Sequence, residues 1–135
     1  MNSSAGMYKV LLIEDNQDFV FLLSAILESL GHTCMAAFDG PEGIKKAQEM
    51  TPDIIFCDIG LPQMNGFEVA KKLKEDQTLK DVYLVALTGY VSACDMCHAA
   101  SAGFDFHLAK PVNMAEMIRV LERIRKAQIH VFEAS

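Results

Sequence analysis

Polar residues of complementary chemistry follow four apolar runs in this chain of 135 residues. Glu14 and Asp15 follow "YKVLLI", Asp58 ends "IIFCD", Thr88 ends "VYLVALT", and Lys110 follows "FDFHLA". Carboxylates can bind a hard cation such as Mg²⁺, and an ammonium and a hydroxyl can contact phosphoryl oxygens. An aspartate beside a metal can act as the nucleophile that forms an aspartyl phosphate. The residue types therefore indicate phosphoryl transfer, provided that the fold brings them together.

The apolar runs alternate with segments of helical periodicity, which predicts five strands and five helices. The predicted strands are Tyr8–Ile13, Thr33–Ala37, Asp53–Cys57, Val82–Leu87 and Phe104–Leu108. The predicted helices are Phe19–Leu30, Pro41–Met50 with Pro41 at the first position, Phe67–Glu75, Ser92–Ala102 opening with the capping box "SACD", and Met114–Ala127.

Alternating strands and helices predict right-handed crossovers and a parallel sheet with helices on both faces. In such a sheet the ligand site lies outside the carboxyl ends of the strands, where all of the polar residues above occur. Two like charges about 4 Å apart repel by about 1 kcal/mol in water and by about 4 kcal/mol at an effective dielectric constant of about 20. Three neighbouring carboxylates therefore need positive charge, which Lys110 and a divalent cation would supply.

Composition and charge exclude several classes of protein. The chain has the length of one domain, with 51% hydrophobic residues, and we expect that domain to cover residues 8–127. Residues 1–7 are expected to be disordered, and residues 128–135 to form a tail or linker. The net charge of −6 argues against nucleic-acid and anionic-membrane partners. We expect a cytoplasmic protein, because no run is long enough to span a membrane and no signal-like leader opens the chain.

The cysteines and histidines outside the polar set predict no further site. The four cysteines are irregularly spaced, which favours reduced thiols over a disulfide framework. The pair in "CDMC", Cys94 and Cys97, lacks the second pair that a zinc site would need. His32, His98 and His130 show no partnered spacing and are expected at the surface.

Four motifs together make the chain resemble the response-regulator receiver domains of two-component signalling. They are "LLIEDN", "IIFCDIGLPQMNG", "VALTGY" and "FHLAKP", and each lies at the end of a predicted strand. The forms "CDIGLP" and "ALTGY" are similar to receivers attached to hybrid histidine kinases. The resemblance covers nearly the whole chain and implies a flavodoxin-like, doubly wound (βα)5 fold with strand order 2-1-3-4-5.

The resemblance also implies roles for individual residues. Asp58 would be the phospho-acceptor, and Thr88 and Lys110 would contact the phosphoryl group. Mg²⁺ would be held by Asp58, by the main-chain carbonyl of Gly60 and by two acidic residues, Glu14 and Asp15. The bond between Lys110 and Pro111 would be cis.

In that family the phosphoryl donor is a histidine kinase or a histidine phosphotransfer domain, and the output is a partner protein or domain. Phosphorylation would move Thr88 and His107 as a switch and change the surface of the fourth helix, fifth strand and fifth helix. That surface could also pair with a second copy of the chain. The protein would catalyse only its own phosphorylation and dephosphorylation.

Three positions depart from the common pattern of the family. Glu14 stands where many members have aspartate, so its metal contact could run through water. His107 stands where the family often has an aromatic residue, and histidine can titrate. Gly60, two residues after Asp58, has no side chain that could control the access of water to a phosphoryl group.

Other functions fit these residues less well. A phosphatase with an aspartate nucleophile would have a second acid two residues after Asp58, where Gly60 stands. A flavodoxin-like cofactor binder would have a phosphate loop of small residues after the first strand, where acidic "EDNQD" stands instead. A pseudo-receiver used only for docking remains an alternative, although the complete set of site residues argues against it.

Overall fold

The computed structural model describes residues 7–61, 63–89 and 99–134. The strands alternate with helices along the chain, as the periodicity predicts. The strands are β1 (Lys9–Ile13), β2 (Thr33–Ala37), β3 (Ile54–Asp58), β4 (Tyr83–Thr88) and β5 (Phe106–Ala109). All strand pairs are parallel, and the order is β2-β1-β3-β4-β5. The predicted fold class and strand order are therefore confirmed.

Helices connect the strands, and side-chain caps define where several of them begin. The helices are α1 (Gln17–Ser29), α2 (Gly40–Met50), α3 (Gly66–Glu75), a helical segment over residues 99–102 that we label α4, and α5 (Met114–Ala134). A 3-10 turn covers Gln77–Leu79. Asn16, Asp39 and Asn65 each accept a backbone N–H of the following first turn, which satisfies donors that a helix start leaves unpaired.

The sheet separates two apolar layers because successive residues of a strand face opposite sides. Leu11 and Ile55 pack on the side of α2 and α3, and Leu12 and Phe56 pack on the side of α1 and α5. All five residues of β3 are buried, as expected for a central parallel strand covered on both faces. This burial leaves only the strand ends available to carry polar chemistry.

Most element boundaries differ from the sequence prediction by one or two residues, and the last helix differs by more. The second helix begins at Gly40, because Asp39 caps it, so Pro41 is not its first residue. Strand β5 begins at Phe106, two residues later than predicted. The last helix continues to Ala134, past the predicted end at Ala127. The predicted helix start at "SACD" and the "CDMC" pair lie outside the described residues, as do residues 1–6.

None of the helices in residues 7–61, 63–89 and 99–134 combines the length and apolar character needed to cross a membrane.

His32 is buried, so its predicted surface position is wrong. Only 7% of the residue is exposed, and its Nδ1 accepts the backbone N–H of Tyr8 at 2.9 Å. The Tyr8 ring stacks on the imidazole with centroids 5.3 Å apart. Burial lowers the pKa of His32, because the charged form loses hydration. A single histidine without a neighbouring motif gave no sequence signal for this contact.

We expect His32 to make stability fall in mild acid. A histidine whose folded pKa lies below its unfolded value of about 6.5 contributes stability above that pH, and the contribution is lost as pH falls through the folded pKa. Protonation at Nδ1 would also remove the acceptor for Tyr8, while Glu122 and Arg125 line the same hollow with opposite charges. Urea unfolding measures the free energy of unfolding at pH 8 and at pH 5. This free energy should fall more between pH 8 and pH 5 for the native chain than for His32→Asn. Equal losses would contradict this prediction.

Candidate functional site

Three carboxylates meet at the carboxyl end of the sheet. Glu14 follows β1 directly, Asp15 comes next, and Asp58 is the last residue of β3. Strands β1 and β3 are neighbours, which brings these loops together. One oxygen from each carboxylate lies within 4.8 Å of the others. The predicted acidic cluster of Glu14, Asp15 and Asp58 is therefore present.

Lys110 joins this cluster from the end of β5. Its Nζ lies 2.8 Å from Glu14 Oε1 and 3.3 Å from Asp58 Oδ2. The ammonium also lies 4.7 Å from the centroid of the Phe19 ring, in cation–π geometry. These three contacts fix the ammonium beside Asp58.

The electrostatics of Glu14 and Lys110 are set by burial and by each other. Glu14 is 1% exposed, and burial raises the pKa of its carboxyl although Lys110 and the Asn16 N–H oppose the shift. Burial alone would lower the pKa of Lys110, but the contact that its ammonium makes to the Glu14 carboxylate and the charge of Asp58 outweigh burial and raise the pKa. Lys110 therefore stays charged and compensates part of the acidic cluster.

The donor set fits a hard divalent cation. Three carboxylates and one ammonium leave two negative charges uncompensated when all of them are ionised. Apart from its ion pair with Lys110, the buried oxygen Glu14 Oε1 has no hydrogen-bond donor among the described residues. Oxygen ligands of this kind suit Mg²⁺. Glu14, Asp15 and Asp58 are the residues that could hold it.

Two glycines lie beside Asp58, and the close approach of the chain at Gly66 requires a residue without a side chain. The Gly60 N–H donates to Asp58 Oδ1 at 3.0 Å, which orients the carboxylate. At Gly66, an added Cβ would lie 2.5 Å from the backbone oxygen of Asp58. A larger residue at Gly66 would therefore push α3 away from the end of β3.

Thr88 lies at the same edge of the sheet, as the last residue of β4. Its side chain is buried, and its hydroxyl donates to the Leu108 carbonyl at a long 3.4 Å. Its own carbonyl accepts the Lys110 N–H at 2.8 Å, and the bond from Lys110 to Pro111 is cis. Thr88 thus ties the end of β4 to the C-terminal end of β5, at Leu108 and Lys110.

His107 lies outside the cluster. It pairs with Ala86 across β4 and β5, and its side chain is exposed. Together with Glu116, Arg119 and Arg123 of α5 it lines a cleft of about 430 Å³. In this conformation His107 is therefore a surface residue.

Sequence reasoning missed three residues that support the site. Phe19 was predicted only as the first residue of a helix, and Asn16 and Gly66 only as the last residues of the motifs "LLIEDN" and "IIFCDIGLPQMNG". The "EDN" order does suggest a cap at Asn16. The contact between Phe19 and Lys110 joins residues far apart in the chain, so no local pattern announces it.

Cys57 precedes Asp58 but takes no part in this chemistry. It is buried, and burial together with the charges of Asp58 and Glu14 raises the pKa of its thiol. The half-buried Cys34 has its pKa raised to about 11. Both thiols therefore stay protonated at neutral pH.

Proteins of known type are similar to this chain in sequence and in fold. The curated relatives include the polar-differentiation response regulator DivK of Brucella ovis, 29% identical over 113 residues, which covers 84% of this chain and 92% of that protein. Among solved structures, chemotaxis protein CheY4 of Vibrio cholerae superposes with a TM-score of 0.84 at 30% identity, covering 87% of this chain and 98% of that one.

A further solved structure is the receiver domain of sensor histidine kinase PA1611 from Pseudomonas aeruginosa PAO1, with a TM-score of 0.81 at 29% identity. It covers 88% of this chain and 98% of that chain, and that protein has a magnesium ion coordinated in its active site cleft. The family model of the response regulator receiver domain matches residues 10–122, which include every site residue described above. With its acidic cluster, paired lysine and strand order, this chain belongs to the response regulator receiver domains of two-component signalling.

Proposed function

We propose that the chain is a signalling switch whose Asp58 accepts a phosphoryl group from a phosphohistidine donor in a Mg²⁺-dependent reaction. The observation that carries the proposal is the position of Asp58, with Lys110 Nζ at 3.3 Å and the carboxylates of Glu14 and Asp15 in the same cluster. The donor would be a histidine kinase or a histidine phosphotransfer domain, and the receiver would act in the cytoplasm on an output protein or domain.

Each residue has a defined part in the proposed reaction. A carboxylate oxygen of Asp58 bonds to phosphorus as the bond from phosphorus to the donor's histidine nitrogen breaks, and the imidazole leaves with the electron pair. The Gly60 N–H holds Asp58 Oδ1 in place. Lys110 and the Thr88 hydroxyl contact phosphoryl oxygens. Bound Mg²⁺, held by Glu14, Asp15, Asp58 and the Gly60 carbonyl, would neutralise negative charge on the transferred group.

The first test removes the metal. We expect incubation with Mg²⁺ and a small phosphodonor to add one phosphoryl group, and excess EDTA to lower the rate by about 10²-fold or more, because the negative cluster would then repel the donor. Intact mass spectrometry measures the product, and circular dichroism in EDTA shows that the fold persists. Phosphorylation at an unchanged rate in EDTA would contradict the metal requirement. Asp15→Asn should weaken Mg²⁺ binding in the same preparation.

We further propose that phosphorylation changes the surface formed by α4, β5 and α5. The long hydrogen bond from the Thr88 hydroxyl to Leu108 is weak enough to exchange for a phosphoryl oxygen. Thr88 would then move toward Asp58, and His107 on the neighbouring strand would fill the space that it leaves. This is a local charge event acting on a two-state element.

Thr88→Ala should separate the switch from the chemistry. We expect this variant to accept a phosphoryl group, since Asp58 and Lys110 are intact. We expect the conformational change on the α4-β5-α5 surface, away from Asp58, to be smaller. With beryllofluoride and Mg²⁺, amide resonances over residues 104–111 should shift in the native chain, and by about half or less in Thr88→Ala. Large distant shifts confined to α1 would contradict the proposed surface.

The domain division stays a prediction, with the receiver over residues 8–127, a disordered segment over 1–7 and a tail or linker over 128–135. The alternative functions gain no support from the geometry. Gly60 occupies the place where a phosphatase of this chemistry would have its second acid. The paired Lys110 and the acidic cluster would serve no purpose in a receiver used only for docking.

A further inference from the structure

Four exposed residues lie in a row on one side of α5. They are Ile118, Glu122, Arg125 and Ile129, and we call them the α5 stripe. Their spacing of four, three and four residues keeps them on a narrow arc of the helix. Ile118 is 40% exposed and Ile129 is 44% exposed, which is high for isoleucine on a helix that packs on the sheet. The core-facing side of the helix is occupied by other residues.

The α5 stripe has the same pattern in both directions. Each end is apolar, and the two central residues carry opposite charges. If a second copy ran antiparallel along it, with a two-fold axis between Glu122 and Arg125, Ile118 would meet the partner's Ile129. Glu122 would meet the partner's Arg125, and the symmetry would repeat both contacts. Such self-complementarity is what a two-fold homodimer requires.

The central charges are available for this pairing. Neither Glu122 nor Arg125 takes part in the ion pairs found among the described residues. By contrast, Glu116 and Arg119, which have the same separation on the same helix, pair at 3.1 Å. The two central charges of the α5 stripe therefore have unused pairing capacity.

A hollow beside the stripe provides space for an apolar side chain. It has a volume of about 220 Å³ and lies between α5 and the C-terminal end of α1. Leu30, Leu121 and Ile118 supply apolar walls, and the rest of the lining comes from Tyr8, His32, Glu122 and Arg125. In the antiparallel arrangement the partner's Ile129 would approach Ile118 at this hollow.

We propose that the chain forms a two-fold symmetric homodimer through antiparallel pairing of α5 along the α5 stripe. This face is distinct from the α4-β5-α5 surface, whose α5 residues Glu116, Arg119 and Arg123 line the cleft beside β5. A single pair of helices buries less than the roughly 1,600 Å² of a standard interface, so the dimer should be weak, with a dissociation constant on the order of micromolar.

Charge reversal tests the arrangement directly. Sedimentation velocity over a range of concentrations should show a reversible dimer for the native chain. Glu122→Arg and Arg125→Glu should each raise the dissociation constant about tenfold or more, because each places like charges opposite one another. An equimolar mixture of the two variants should associate as well as the native chain, since both cross-pairs then join opposite charges. The double variant, which carries both Glu122→Arg and Arg125→Glu, should also dimerise with about the native dissociation constant, because opposite charges again face each other.

Arg119→Glu is the matched control. It changes charge on the same helix but on the side that faces the β5 cleft, so it should leave the dissociation constant unchanged. Circular dichroism should show all variants folded, because every substituted side chain is exposed. Three results would overturn the proposal. The native chain could stay monomeric up to a concentration of about 1 mM, the mixture of the two variants could stay monomeric, or Arg119→Glu could raise the dissociation constant as much as Glu122→Arg does. The last would place the interface on the α4-β5-α5 surface.

Discussion

Asp58→Asn is expected to accept no phosphoryl group under conditions in which the native chain is fully phosphorylated. The amide lacks the anionic oxygen that attacks phosphorus, while Lys110 and the other carboxylates remain in place. Intact mass spectrometry should show one added phosphoryl group on the native chain and none on the variant. Hydroxylamine should remove the group from the native chain, because an acyl phosphate is labile to it.

Asp81→Asn provides the matched control for this experiment. Asp81 is exposed and precedes β4, at the opposite end of the sheet from the site. The substitution makes the same change of charge and size, so phosphorylation should proceed at the native rate. A mass shift that survives in Asp58→Asn would show that another residue accepts the phosphoryl group.

The second large effect is expected from Lys110→Met. Glu14 is almost fully buried, and the Lys110 ammonium at 2.8 Å is its ion-pair partner. Removing one member of such a pair leaves an uncompensated charge, which should lower the free energy of unfolding by about 2–3 kcal/mol at neutral pH without metal. Urea titration measures this change. Phosphorylation should also slow by about 10²-fold, since a charge that stabilises the transferred group is lost.

The loss of stability in Lys110→Met should grow as pH rises. The pKa of Glu14 is already raised in the folded chain, and removal of the ammonium raises it further. The folded state then binds a proton that the unfolded state has released, so stability decreases from the unfolded pKa of about 4.3 upward through the folded pKa. The difference in the free energy of unfolding between Lys110→Met and the native chain should therefore be smaller at pH 5 than at pH 8.

A double variant identifies the cause. Glu14→Gln combined with Lys110→Met removes both charges, so it should recover most of the stability lost in Lys110→Met alone. Arg119→Met is a suitable control, because its ion pair with Glu116 is exposed and should contribute less than about 1 kcal/mol. If the double variant is as unstable as Lys110→Met, packing of the lysine side chain against Phe19 accounts for the loss instead.

The sequence by itself determined the layout of the site along the chain. Short runs of apolar residues predict strands, and a residue with an acid, a hydroxyl or an amine lies at the end of four of these runs. Parallel strands have their carboxyl ends at one edge of the sheet, so Glu14, Asp58, Thr88 and Lys110 had to lie at that edge. This argument is local and needs only the alternation of strands and helices. The resemblance to a known family then supplied the strand order, and the structure confirmed it.

Only the tertiary structure decided which groups touch. Glu14 and Asp58 are close because β1 and β3 are neighbours, and no pattern within either strand encodes that pairing. The ring of Phe19 beneath Lys110 depends on how α1 packs on the sheet. His32 is buried because the start of β1 lies against it, although its own neighbours in sequence are polar or small.

The end of α5 shows the same division. The core-facing apolar residues of α5 were predictable from their helical spacing. The continuation of the helix past Ala127 was not, because the apolar residues in 128–134 show no clear helical period. In the fold, Gln128 accepts a hydrogen bond from the Tyr8 hydroxyl at 2.9 Å, a contact that joins the first strand segment to the last helix. Periodicity reports which side of an element avoids water, whereas contacts between distant segments arise only when the packed elements bring them together.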